Sequence, residues 1–431
     1  MRNNKVINVF FRLISPYRNL PREIYIIFIS KIINALGCFV GPLLTLILTK
    51  KIGLSTATTG FYMTISGFVF LPASLIGGKI ADTLGRKRVI IICEGIAAVL
   101  YIACGFMNPS LSMVYTIIAA EMFMVMAGPA HDSMVADLTT PENREGAYAL
   151  CYMGWNIGFA VGPTIGGLLF EKHLPWVFIG DAITALLALV LVFVGVKETM
   201  HIASQEIDDD SRKLEKSEEG SILSVLLKRP ILIYFALIMF GYNFVYSQWS
   251  FLMPMHVSEV SANGAKYFGT LASFNGLVVM FCTPFITKFL EKTRNTKSMV
   301  YGGILYAVGF GMLGFLNSIE FFYVSVFIFT LGEIVLSISA SPFIANHTPA
   351  SHRGRMSSML GIIMGAGFTF GPLIMGKVLM NITMATAWIG LGIIGAVAAF
   401  FMTILEKHDR NSEEESLDNV EEVLNEDEEV C

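Results

Sequence analysis

The chain has 431 residues, of which 54% are apolar and only 15% charged, and its mean hydropathy is +0.63. A soluble protein carries roughly 25% charged residues, so an ordinary cytosolic enzyme is disfavoured from the outset. The net charge of −4 decides little, because the distribution of charge along the chain matters more than its sum.

Residues 1–23 open with Val6, Val9, Phe10, Phe11 and Leu13 among Lys5, Arg12 and Arg18. That pattern reads as an amphipathic segment lying on the cytoplasmic membrane face. Apolar runs follow at 24–48, 57–81, 89–107, 113–136, 147–170 and 175–196, within an N-terminal block 24–196. The stretch 197–228 is rich in Asp, Glu, Lys and Ser and reads as a solvated cytoplasmic linker. Apolar runs resume at 231–252, 267–289, 298–317, 321–345, 355–380 and 384–405, within a C-terminal block 229–405. Residues 406–431 form a strongly acidic tail, expected to be a disordered cytoplasmic extension, with a docking peptide as the alternative. Each run has the length of about 20 residues that a membrane helix requires. A β-barrel would show short alternating segments, and these runs are continuous. The expectation is an all-α membrane protein with twelve transmembrane helices in two pseudo-symmetric six-helix bundles. The first run starts too late and is too long for a cleavable signal. Six scattered cysteines show no paired spacing and read as small buried apolar residues, with no disulfide framework or metal site.

Of the 30 Lys and Arg, 24 fall before the first run, in the even-numbered connections or in the tail. By the positive-inside rule both termini are cytoplasmic. A shift of 209 residues brings Gly67 onto Gly276, Asp82 onto Glu291, Arg88 onto Lys297, Arg144 onto Arg353, Gly158 onto Gly367, Gly162 onto Gly371, Pro163 onto Pro372 and Gly167 onto Gly376. Parallel repeats of this kind put a binding site near the midplane.

The second connection reads Gly78-Lys-Ile-Ala-Asp82-Thr83-Leu-Gly85-Arg86-Lys87-Arg88. A glycine turn with an acid facing cations suits a gate at the cytoplasmic mouth; mere positive-inside anchoring is the plainer account. The segment resembles the cytoplasmic loop signature of the major facilitator superfamily, with Thr83 standing where a basic residue is usual. The fifth run carries Gly158-Phe-Ala-Val-Gly162-Pro163-Thr-Ile-Gly166-Gly167. Small residues at four-residue spacing allow two backbones to approach closely, and Pro163 bends the helix. This stretch resembles the motif of the twelve-span drug/proton antiporter branch of that superfamily. The resemblance implies an exporter exchanging substrate for protons, the bent fifth helix sealing a leak route; ordinary small-residue packing is the plainer account. Asp137, at the cytoplasmic end of the fourth run, is expected to meet Lys31 of the first if that pair faces inward. The branch usually has an Arg early in the fourth helix. Here the stretch is Tyr115 to Glu121 and the Arg is missing, so coupling must use other residues.

Ionisable residues at hydrocarbon depth are functional candidates by default, since charge there costs several kcal/mol. They are Glu94, Glu121, Asp132, Asp181 and Glu333. Glu333, with Gly332 leaving its carboxyl room to reach a cavity, stands first for a proton or a cationic substrate. Glu121 follows, on one face with Gly128 and Asp132. His131 beside Asp132 reads as a relay or as a buried hydrogen-bonded pair. Glu94 and Asp181 are expected to cap or snorkel near helix ends. Asn243, Tyr246 and Gln248 of the seventh run, and Asn34 of the first with Gly37 and Gly41, are expected to line a cavity whose rings bind flat or cationic compounds.

No phosphate-cradling loop, zinc-type spacing or catalytic triad signature occurs. The reading is a non-enzymatic, proton-coupled multidrug-type transporter of the plasma membrane. It has a small-molecule substrate and no nucleic-acid partner, needs no cofactor beyond H+, and is monomeric. The alternatives are a transporter of one metabolite, such as a sugar or amino-acid derivative, and a non-transporting scaffold on the same fold.

Overall fold

The computed structural model describes residues 20–139, 141–200, 226, 229–290, 292–316, 318–347 and 353–429. The amphipathic opening segment and nearly all of the linker lie outside the described residues, as do the side chains of Asp82, Arg144 and Arg353.

Among the described residues fourteen α-helices follow the apolar runs in order: α1 Arg22–Leu36, α2 Val40–Leu46, α3 Thr56–Leu84, α4 Arg86–Phe106, α5 Leu111–Asp137, α6 Pro141–Phe159, α7 Gly162–Phe170 and α8 Leu174–Gly195. After the linker come α9 Pro230–Val260, α10 Gly264–Leu290, α11 Asn295–Gly311, α12 Ile319–His347, α13 Arg353–Val378 and α14 Met384–Glu429. Among the described residues ten spans are long and apolar enough to cross a membrane. The α6–α7 pair and the 17-residue α11 supply helical counterparts for the other two expected runs. Two runs are broken rather than continuous. The first is interrupted at Gly37–Phe39, between α1 and α2, and the fifth at Ala160–Val161, just before Pro163.

The tail departs from expectation, because α14 continues to Glu429. No Gly or Pro occurs after Gly395 to stop it, and Glu is among the better helix formers.

The chain packs as two units. The first comprises Met1–Asp209, Ser250–Met280 and Pro372–Met380, and the second Asp210–Trp249, Phe281–Gly371 and Asn381–Cys431. In the first unit α4 packs on α5 and α8, α1 on α6 and α8, and α3 on α5. In the second, α11 packs on α12 and α14, the repeat equivalents of the α4 pairings. Large apolar side chains such as Phe106, Val194, Phe285 and Phe289 are exposed. In water such a surface would aggregate, whereas lipid tails solvate it.

The 209-residue repeat reappears in the packing of the first unit. A Cβ at Gly60 would run into the Pro372 carbonyl, and one at Gly269 into the Pro163 carbonyl. One at Gly376 would meet Thr56 O at 2.6 Å, and one at Gly167 would strike Ala265 O. Both members of each contact are displaced by the same interval, so the glycines exist to let backbones touch. Replacing Gly60 or Gly269 with Val is expected to lower the thermal unfolding midpoint in detergent, by an amount equivalent to about 1–3 kcal/mol. Gly390→Ala, where a Cβ meets nothing within 4 Å, should leave it unchanged or raised. Scanning fluorimetry that finds equal midpoints would remove the steric account of these crossings.

Candidate functional site

Three constellations carry chemistry, two in the first unit and one in the second. At the junction of α3 and α4, Gly85 adopts φ 102, which an L side chain resists. Glu198, just past α8, accepts from the Arg86 amide at 2.8 Å and from the Thr199 and Met200 amides at 3.0 and 3.3 Å. It thereby caps the first turn of α4, where the helix dipole favours a carboxylate. A Cβ on Gly85 would lie 2.5 Å from its Oε2, so only glycine lets the cap close.

Arg86 donates through Nη1 to Ala81 O at 2.9 Å, and its Nε lies 3.3 Å from Asp137 Oδ2. Thr199 Oγ1 donates to the same carboxylate oxygen at 2.9 Å. The Arg86 and Asp137 side chains are only 11% and 10% exposed, so the pair is held away from solvent screening. Lys87 donates to Phe193 O at 2.6 Å and sits over the Phe193 ring, while Arg88 is exposed. Gly78 faces Pro129 at ordinary contact distance.

Asp137 thus pairs with Arg86 and not with Lys31. The cause is packing: α1 rests on α6 and α8, which brings Lys31 into Coulombic range of Cys151 on α6. Glu198 escaped the sequence reading because it begins a charged run that looks like the start of a linker.

Deeper in the first unit the five acids sort themselves. Asp181 accepts from the Phe39 and Val40 amides at 3.3 and 3.2 Å, closing the break between α1 and α2. It caps, as expected, yet the helix end is internal, created by the break. Glu121 takes a hydrogen bond from Ser66 and lies in Coulombic range of Asp181, Cys38 and Tyr101. Glu94 does not snorkel: it is buried and meets His131 at 2.6 Å. Asp132 is exposed, its carbonyl taking a bond from Tyr148 Oη at 2.7 Å, so the His131 bond runs across helices to Glu94 instead of along the chain. Gly37 packs on Thr184 of α8 instead of facing a cavity; Asn34 is half-buried and its carbonyl accepts from the Gly37 amide.

The antiporter-like motif splits its glycines between two partners. A Cβ on Gly158 would sit 2.7 Å from Ala35 Cβ, one on Gly162 2.6 Å from Ala35 O, and one on Gly166 3.0 Å from Phe39 Cβ. These three seat the broken fifth span on the broken first span. Gly167 and Pro163 instead meet α10, where Thr164 Oγ1 and Ser273 Oγ are 2.8 Å apart.

In the second unit Glu333 of α12 lies in Coulombic range of the buried Tyr306 of α11. Tyr306 stacks on Tyr246 of α9, with centroids 5.8 Å apart and planes at 9°, and meets Tyr242 and Phe310 edge-on. Gly332 does not open space for the carboxyl. A Cβ there would come within 2.8 Å of Gly302 O, so it makes the α11–α12 crossing. Asn243 donates to Met364 O at 3.0 Å, tying α9 to α13. Gln248 is fully buried and donates to Phe244 O and Ser247 Oγ, at 3.1 and 2.8 Å. Of the residues expected along a cavity wall, Tyr246 is the one that joins the aromatic cluster beside Glu333.

A family model described as Major Facilitator Superfamily matches residues 27–320 and 264–425. The Na(+), Li(+), K(+)/H(+) antiporter of Planococcus maritimus is 25% identical over 384 residues, 81% of this chain and 86% of its own. Multidrug resistance protein MdtH of Salmonella typhi is 21% identical over 396 residues, 89% and 94% of the two chains. Among solved structures, a POT family transporter in complex with a thioalcohol-conjugated peptide aligns with a TM-score of 0.74 at 14% identity, covering 91% of this chain and 99% of that one. Nucleoside transporter NupG aligns at 0.72 and 15%, covering 90% and 100%. These two share the fold.

The Arg86–Asp137 pair is testable by a double-mutant cycle with Ala on thermal stability in detergent. A coupling of about 0.5–3 kcal/mol is expected between Arg86 and Asp137, and none between Lys31 and Asp137. Coupling to Lys31 instead would overturn the assignment.

Proposed function

The chain belongs to the Major Facilitator Superfamily of membrane transporters, and from that premise we propose that it is a proton-coupled antiporter exporting lipophilic or cationic small molecules. The observation that carries this reading is a membrane-depth carboxyl, Glu333, set beside the Tyr246–Tyr306 stack. Ring faces attract a desolvated organic cation, and a carboxylate neutralises it. A proton on the same carboxyl removes that attraction. Proton and cation therefore compete for one site, which is the minimum that exchange requires.

Glu121, hydrogen-bonded by Ser66, is the second proton carrier in this scheme, and the Arg86–Asp137–Glu198 constellation is the gate at the cytoplasmic end. The close seating of Gly158, Gly162 and Gly166 on the first span supports a sealed fifth helix, as in the antiporter branch that these residues resemble. The two relatives, a cation/proton antiporter and a multidrug resistance protein, are consistent with exchange and with efflux respectively. The distribution of Lys and Arg supports both termini facing the cytoplasm of a cell whose plasma membrane holds the protein, as a monomer and without a cofactor.

Exchange of Na+, Li+ or K+ for protons is a second reading, favoured by the Planococcus relative. Transport of one polar metabolite is the third, since the fold serves peptides and nucleosides in other proteins.

Proteoliposomes with an imposed pH gradient separate the three. A lipophilic cation such as a quaternary ammonium dye is expected to be driven by the gradient, and Glu333→Gln to slow that movement at least about tenfold, a barrier change near 1.4 kcal/mol. Gradient-driven movement of alkali cations or of polar metabolites alone would replace the proposal with the corresponding alternative. Undiminished dye movement in Glu333→Gln would end the role of this carboxyl.

A further inference from the structure

The contact between α4 and α5 holds a second polar rung that the functional scheme above leaves unused. Glu94 Oε1 and His131 Nε2 are 2.6 Å apart, and their side chains are 8% and 9% exposed. The flanking Ile90, Cys93, Ala97, Ala127, Ala130 and Met134 are buried and apolar. The second ring nitrogen, Nδ1, is buried with no hydrogen-bond partner among the described residues.

Charge counting limits the states this rung can adopt. With Glu94 ionised and a neutral ring donating from Nε2, the pair carries one negative charge in apolar surroundings. That state is costly. One proton arriving from the aqueous phase at Nδ1 turns the ring into an imidazolium, donating from Nε2 to Glu94, and the pair becomes neutral as a whole. Losing that proton restores the charge. A histidine is the side chain whose ordinary titration range spans the pH values at which a cell works.

The same two helices hold the Arg86–Asp137 pair. Glu94 lies eight residues along α4 from Arg86, about 12 Å at 1.5 Å per residue. The other titratable groups near the rung are few. Cys93 adjoins Glu94 on α4, and α6 brings Cys151, with Lys31 of α1 and the exposed Asp132 in Coulombic range of that thiol. Toward Gly85 stand Arg86, Asp137 and Glu198. From α3 and α8 the described core residues here are the apolar Ala81, Leu189 and Val192.

We propose that Glu94 and His131 form a proton-binding site of this transporter, separate from Glu121 and Glu333, whose occupancy changes the charge on the helix pair that carries the Arg86–Asp137 gate. The inference deepens the reading of the chain as proton-coupled and rests on it, but proton binding at the rung is measurable without transport.

The decisive measurement is nitrogen NMR of histidine-labelled full-length protein in nanodiscs, from about pH 5 to about pH 9. His131→Gln identifies the His131 resonance, and His131→Asn serves if the Gln variant does not fold. A change between neutral ring and imidazolium is expected within that range, and Glu94→Gln should displace it. In proteoliposomes the pH profile of dye exchange should flatten in His131→Gln and shift in Glu94→Gln. A purely structural hydrogen bond would lower the rate without changing the profile. A ring that keeps one protonation state across the range, or an inflection and profile unmoved by Glu94→Gln, overturns the site. A wild-type protein with no gradient-driven exchange sinks the functional reading, and the ring titration then judges this site alone.

Discussion

A backbone amide in hydrocarbon has no water to bond, so each interruption of a spanning helix must be closed by the protein itself. Much of the first unit is organised around two such interruptions. At Gly37–Phe39 the freed amides of Phe39 and Val40 are taken up by Asp181, a side chain reaching across from α8. At Ala160–Val161 the closure is local, with Ala160 and Val161 donating to Asn156 O and Gly158 O at 2.9 and 3.1 Å. The two broken spans then lie on each other through Gly158, Gly162 and Gly166, where the absence of side chains lets the backbones touch. A carboxylate caps one break, and close contact stabilises the pair of them.

The same requirement explains where charge is tolerated. Three of the membrane-depth acids in the first unit each have a designated partner: Asp181 the freed amides, Glu121 the Ser66 hydroxyl, Glu94 the His131 ring. At the Gly85 end, Arg86 pairs with Asp137, Thr199 donates to the same carboxylate, and Glu198 caps the start of α4. Breaking any one member leaves a partly buried charge uncompensated, which is why such clusters respond as units. Transport needs groups whose pairing can be exchanged, and these are the groups that the fold already holds in pairs.

Much of this was legible beforehand. Apolar runs located the spans, because length and hydropathy alone decide whether a helix can cross a bilayer, although two runs are broken and α9 and α14 extend well past the expected ends. The 209-residue register paired Gly167 with Gly376, which play matching parts, whereas the matching parts of Gly60 and Gly269 emerge only from the packing. Partner choice was not legible. Lys31 and Asp137 looked complementary, and so did His131 and Asp132, yet the angular position of a residue on its helix and the neighbour on which that helix packs overrule proximity in sequence.

By itself the sequence determined the membrane-spanning helical class, the repeat, the small-residue seams and the set of acids worth attention. Each follows from composition or period, which do not depend on how helices are arranged. Only the tertiary structure decided that Asp137 bonds Arg86, that Glu198 belongs to the same cluster, that Glu94 and His131 share a bond, and that Gly332 makes a crossing and not a vestibule. Those outcomes depend on helix rotation and contact at the scale of a single ångström, and a one-dimensional pattern carries no information at that scale.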